Sequence, residues 1–65
     1  MTDTLVTSRF VTIELATQVT GLSVAGIRGK IRRAQWVDGK HYRKGPDGRI
    51  YIDLQAYEQW VATGV

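Results

Sequence analysis

The chain has no cysteine, which excludes a disulfide frame and a thiolate metal cluster. It has one histidine, His41, and one proline, Pro46, so an imidazole-based metal site is excluded as well. It also lacks any run of about 18 apolar residues that would read as a membrane span. The opening "MTDTLVTSRF" has neither the basic nor the apolar region of a secretory signal. A soluble intracellular protein without metal or cofactor is the expectation. Length is short too: 65 residues make one domain that buries only about 60% of its unfolded surface, which argues against a large enclosed active site. The acids Asp38, Asp47 and Asp53 fall at turns or helix starts, Ser23 is wanted as a cap, and a lone histidine builds no triad. The sequence reads as a non-enzyme, with neither a small-molecule substrate nor a membrane partner.

What the sequence does have is positive charge, concentrated in its middle. The formal net charge is +3, from nine Lys/Arg and six Asp/Glu. Eight of those nine cations lie between Arg28 and Arg49, against only Asp38 and Asp47, so that segment alone carries +6. Such a block is the electrostatic footprint expected of a nucleic-acid-binding surface, and an anionic membrane or an acidic protein would also answer to it.

Residues 1–9 are small and polar and read as a flexible N-terminal arm; residues 10–65 read as one domain. "RFVT" suggests a short strand or lead-in, and Thr12 is placed to cap a helix beginning at Ile13, with Glu14 in its first turn and Leu15, Ala16 and Val19 facing inward. Gly21 suits a left-handed stop, Leu22 a core plug, and Ser23 the cap of a second helix running from Val24 to about Gln35. The period then changes from helical to alternating around "KGPDGR", where Pro46 presets its φ, Asp47 bonds the following backbone and Gly48 tolerates a positive φ. Asp53 caps a last helix whose apolar stripe is Leu54, Tyr57, Trp60 and Val61. The expected fold is α+β: a small winged helix-turn-helix, with a helix-turn-helix, a two-stranded β-hairpin wing and a C-terminal helix. Phe10, Leu15, Val19, Leu22, Ile27, Ile31, Ile50, Ile52, Tyr57 and Trp60 are expected to share its core. Trp36, Trp60, Tyr42 and Tyr57 sit at core periodicity and read as packing rather than base-stacking platforms, while His41 and Tyr51 share the other face of the hairpin, His41 as a partly exposed strand residue.

In "SVAGIRGKIRRAQW" the apolar positions Val24, Ile27, Ile31 and Ala34 recur at helical spacing, yet Gly26 and Gly29 interrupt them, each at a cost of roughly 1 kcal/mol relative to alanine. On a helical wheel the face opposite the buried stripe carries Ala25, Gly26, Gly29 and Arg33, with Arg28 and Arg32 on one rim and Lys30 on the other. A helix with a small centre line and cationic rims is able to sink its backbone toward a major-groove floor while its long side chains reach phosphates or base edges. The candidate residues are Ser23, Ala25, Arg28, Gly29, Lys30, Arg32 and Arg33 on this helix, and Arg43, Lys44 and Arg49 on the wing.

"VTIELATQVTGLSVAGIRGKIRR" followed by "DGKHYRKGPDGRIYID" resembles the small winged-helix module of phage and prophage excisionases, a fold shared in outline with the DNA-binding heads of mercury-resistance-type regulators. The resemblance spans about Phe10 to Val61. It implies a recombination directionality factor of the bacterial cytoplasm and nucleoid that binds attachment-region double-stranded DNA, often in adjacent copies, bends it and assists an integrase in excision. It also implies that the second helix enters the major groove while the wing tracks the neighbouring backbone or minor groove. Ala25 and Gly29 stand where lambdoid excisionases tend to carry longer polar or basic side chains, which shifts weight toward shape readout. Only Thr63, Gly64 and Val65 follow the last helix, so an integrase contact is expected from the folded surface, or the protein acts through bending alone. A small phage transcriptional regulator and a basic protein-interaction module are the alternatives.

Overall fold

The computed structural model describes residues 8–65, so the stretch 1–7 of the expected arm lies outside the described residues. The elements run β1 (Phe10–Thr12), α1 (Ile13–Thr20), α2 (Val24–Arg32), β2 (Tyr42–Lys44), β3 (Ile50–Asp53) and α3 (Leu54–Thr63). Three helices and one antiparallel sheet of strand order β1-β3-β2 make a small α+β fold.

Local chemistry sets most of the boundaries. Thr12 Oγ1 accepts the Leu15 N–H at 3.2 Å, and Ser23 Oγ accepts the Gly26 N–H at 2.9 Å, so each hydroxyl satisfies an orphan donor of the helix it precedes. Gly21 ends α1 at φ 79°, a left-handed conformation that a Cβ would strain, and its N–H bonds the Thr17 carbonyl at 2.9 Å.

The sheet is larger than the expected two-stranded hairpin. The segment β1 pairs with β3 in the register Phe10↔Asp53, Val11↔Ile52 and Thr12↔Tyr51, while β2 pairs with β3 as Tyr42↔Ile52, Arg43↔Tyr51 and Lys44↔Ile50. Because side chains alternate, Val11, Ile52 and Tyr42 share the inner face, and Phe10, Tyr51 and Arg43 share the outer one.

That register also corrects the expected core. Its buried residues are Val11, Ile13, Ala16, Ile27, Trp36 and Ile52, with Leu22, Ile31, Tyr42, Ile50, Leu54, Tyr57 and Trp60 packed around them. Phe10, Leu15 and Val19 are exposed. Phe10 faces outward because Val11 takes the inward position opposite Ile52. The helix α1 follows β1 without a loop, so Ile13 and Ala16 occupy its inner face and Leu15 and Val19 are rotated away.

The helix α2 stops at Arg32, three residues short of the expected Gln35. Ala34 takes a left-handed φ of 60°, and the Lys30 carbonyl receives both the Gln35 N–H (2.9 Å) and the Trp36 N–H (3.1 Å). Ala34 is therefore exposed rather than part of the buried stripe. This tight exit turns Trp36 into the interior, where it is 1% exposed, stacked on His41 and edge-on to Trp60 and Tyr57. His41 is buried in the turn before β2, not partly exposed in a strand. Its Nδ1 accepts the Val37 N–H at 2.9 Å, which places the proton of the neutral ring on Nε2.

The N-terminal segment meets the start of α3 at Asp53. This residue is 1% exposed; Oδ1 caps α3 by accepting the Gln55 and Ala56 N–H groups at 3.0 and 3.2 Å, and Arg9 donates to both carboxylate oxygens at 3.0–3.1 Å. Burial pushes the Asp53 pKa up, but Arg9 and the helix N–H groups outweigh it, and the net value lies below the ordinary carboxylate range. A lowered folded-state pKa gives stability that is complete above the unfolded value of about 4 and is lost as pH falls through the folded value. We expect Asp53→Ala to lose about 1–2 kcal/mol in urea unfolding at neutral pH, a cap-sized effect because the Arg9 side of the pair is solvent-screened. The gap to the unsubstituted protein should narrow in acid; a gap independent of pH would contradict this assignment.

Candidate nucleic-acid interface

The helix α2 presents cations without an acidic residue of its own. Its N-cap Ser23 and the side chains of Ala25, Arg28, Arg32 and Arg33 are exposed. Lys30 is half-buried and directed elsewhere: its Nζ lies 5.4 Å from the Trp60 ring centroid, a cation–π contact with α3. Lys30 and Arg32 sit in the last turn, where positive charge is favourable to the helix dipole.

The glycines are less open than the helical wheel suggests. A Cβ on Gly26 would meet Ser23 Oγ at 3.1 Å, crowding the capping hydroxyl. Gly29 is buried, and a Cβ there would lie 3.1–3.4 Å from the Arg33 guanidinium. Arg33 is folded back along α2 and closes the notch at Gly29, so the backbone at that position becomes accessible only when Arg33 moves.

The three hairpin cations do not form one cluster. Arg43, opposite Tyr51, is on the outer face with its guanidinium carbon 6.0 Å from the Phe10 ring centroid. Lys44, opposite Ile50, belongs to the face that carries Tyr42 and Ile52. Arg49 stands at the tip, where it lines a cleft of about 350 Å³ together with Arg28 of α2, Thr12, Glu14 and Gly48. Tertiary structure thus joins the cationic helix to the hairpin tip through Arg28 and Arg49, and leaves Arg43 on a separate surface beside Phe10.

The turn itself follows its sequence. Gly48 has φ 82°, Asp47 Oδ1 accepts the Arg49 N–H at 3.0 Å, and the Gly45 N–H bonds the Arg49 carbonyl at 2.7 Å. Sequence reasoning placed Tyr51 on the hairpin but missed its bond to Asp47, whose Oδ2 accepts the Tyr51 hydroxyl at 2.7 Å. The available signal was the four-residue spacing across the turn between an acid and an aromatic hydroxyl. It also missed the Arg9–Asp53 pair and the outward-facing Phe10, both of which depend on the β1–β3 register.

No group of three or more His, Cys, Asp or Glu among the described residues is arranged to hold a metal ion, and no described helix is long and apolar enough to cross a membrane. The family model described as "Putative excisionase (DUF1233)" matches residues 1–65, and the chain belongs to that family. It matches no curated protein and no solved structure.

Gly29 allows a direct check on how α2 is built. A methyl group there meets only the mobile end of Arg33, so Gly29→Ala should gain helix propensity and raise the unfolding free energy by up to about 1 kcal/mol. Chemical denaturation measures this; a decrease would mean that the contact between Arg33 and the bare backbone is worth more than the propensity gained.

Proposed function

We propose that this protein is an excisionase that binds attachment-region double-stranded DNA as a winged helix, like the DNA-binding heads of mercury-resistance-type regulators. In this reading α2 enters the major groove, presenting Ser23, Ala25, Arg28, Arg32 and Arg33, with Gly29 reached only when Arg33 moves aside. Lys30 serves the helix from its rim, held against Trp60. The β2–β3 hairpin is the wing: Arg49 meets the neighbouring backbone beside α2, and Arg43 and Lys44, on opposite faces of β2, reach it from either side. Adjacent copies supply avidity, and DNA bending favours integrase-mediated excision. The protein works in the bacterial cytoplasm, at the nucleoid.

The observation that carries this reading is the convergence of Arg28 and Arg49 on one cleft. Cations from two elements 21 positions apart converge there, and a groove-bound helix flanked by a backbone-tracking hairpin requires that convergence. The absence of acidic residues from α2 further supports a polyanionic partner over a merely solubilising face. The short side chains of Ala25 and Gly29 leave few base-edge donors, so readout leans on DNA shape.

The test is a gel-shift titration of attachment-region DNA against a length-matched scrambled duplex at two salt concentrations. Stepwise, preferential complexes are expected, with a salt slope corresponding to roughly four to six phosphates per protein. Arg28→Ala and Arg49→Ala should each weaken binding by about 1–3 kcal/mol or, where only a phosphate is lost, reduce the slope by about one. Thermal unfolding of both variants should match the parent. Equal affinity for the two duplexes, or unchanged binding by both variants, would overturn the proposal.

A further inference from the structure

Asp47 is the one acid at the tip of a hairpin that otherwise carries Arg43, Lys44 and Arg49. On Coulombic grounds a free carboxylate there would oppose any polyanion. Both of its oxygens are engaged, however: Oδ1 accepts the Arg49 N–H at 3.0 Å and Oδ2 accepts the Tyr51 hydroxyl at 2.7 Å. The carboxylate is turned back onto the hairpin.

Tyr51 belongs to β3 and its ring lies back along the hairpin over Gly45. A Cβ on Gly45 would stand 2.6 Å from Tyr51 Cε2, 3.0 Å from Cδ2 and 3.0 Å from Asp47 Oδ1. Only a residue without a side chain leaves room for both the ring and the carboxylate. Gly45 does not have a positive φ, so what it supplies is space rather than an unusual backbone conformation. The tip is closed further by the Gly45 N–H to the Arg49 carbonyl at 2.7 Å and the Gly48 N–H to the Gly45 carbonyl at 3.0 Å. The Arg49 N–H, then the Tyr51 hydroxyl, hold the Asp47 pKa below its ordinary value, and the bond to Asp47 raises that of Tyr51. At neutral pH the acceptor is charged and the donor keeps its proton.

We propose that Gly45, Asp47 and Tyr51 form a clamp that fixes the hairpin tip in its DNA-binding geometry, so that these three act as positioning residues for Arg43, Lys44 and Arg49. The clamp rests on the reading of the hairpin as a DNA contact. It meets the ordering cost of an exposed turn during folding instead of at binding, which is how preorganisation raises affinity. It also withholds the carboxylate from the phosphates. Arg49 depends on it most directly, since its own N–H is a clamp donor while its side chain faces the cleft shared with Arg28.

The clamp and simple electrostatics predict opposite signs for one substitution. Asp47→Ala removes a negative charge, so if Asp47 acted only as a nearby anion the affinity for the attachment-region duplex would rise. With the clamp, affinity falls about fivefold, and Tyr51→Phe, which changes no charge and keeps the ring, falls by about as much. Gly45→Ala displaces the ring and should fall at least as far. In the free protein, amide exchange at Gly45, Gly48 and Arg49 should quicken in all three variants while the amides of α1 and α2 keep their protection. Tighter binding by Asp47→Ala, or parent-like affinity and exchange in Tyr51→Phe and Gly45→Ala, would overturn the clamp. Failure of the parent protein to bind the duplex is a different outcome: it overturns the DNA reading and with it the clamp's role in DNA binding.

Discussion

Burial of Trp36 governs how α2, the hairpin and α3 are related. The indole is 1% exposed and touches something from each side: His41 stacked at 6.1 Å, Trp60 edge-on at 5.6 Å and Tyr57 edge-on at 6.2 Å. To reach that position the chain leaves α2 early and holds Ala34 in a left-handed conformation, which costs a non-glycine residue about 1–2 kcal/mol. The Trp36 Nε1 and His41 Nε2 atoms are buried without a hydrogen-bond partner, a further cost that the packing offsets. Lys30 is drawn into the same arrangement through Trp60. The cationic residues that remain outward on α2 are those that this aromatic cluster does not recruit.

Two of the acidic side chains have internal assignments. Among the described residues the one ion pair is Arg9–Asp53, and Asp53 is at once a salt-bridge partner and the cap of α3. Asp47 bonds to Tyr51 and to the Arg49 backbone. With two acids committed in this way, the cations of α2 and the hairpin are left largely unneutralised by their own chain. The positive field is therefore a property of the folded surface and not only of the composition.

Much of the fold is legible in the sequence wherever the cause is local. Thr12, Ser23 and Asp53 cap the helices they precede, Gly21 stops α1, and Asp47 and Gly48 shape the turn, since each needs only neighbours within a few positions. What stayed hidden depends on partners far away in the chain. Phe10 and Val11 compete for the inward position, and only pairing with β3 decides between them. Leu15 and Val19 are as apolar as Ile13 and Ala16, so periodicity alone did not give the rotation of α1. Gly29 looked open on a helical wheel because a wheel does not contain the return path of the Arg33 side chain. Among the candidate site residues, the convergence of Arg28 with Arg49 and the separation of Arg43 are both consequences of sheet register and helix placement.

The bond between Arg9 and Asp53 joins positions 44 residues apart, and the β1–β3 ladder closes everything between β1 and β3 into a ring, with α3 outside it. The contacts between α1 and α2 and the β2–β3 hairpin need far shorter loops. Loop-closure entropy must be met before distant pairing rewards it, so those local units are positioned to assemble first and β1 to dock onto them afterwards. The kinetics of this small module are then governed by its longest closure. A cut anywhere between α1 and β3 would change that closure from an intramolecular event into an encounter between two fragments, with a rate that depends on concentration.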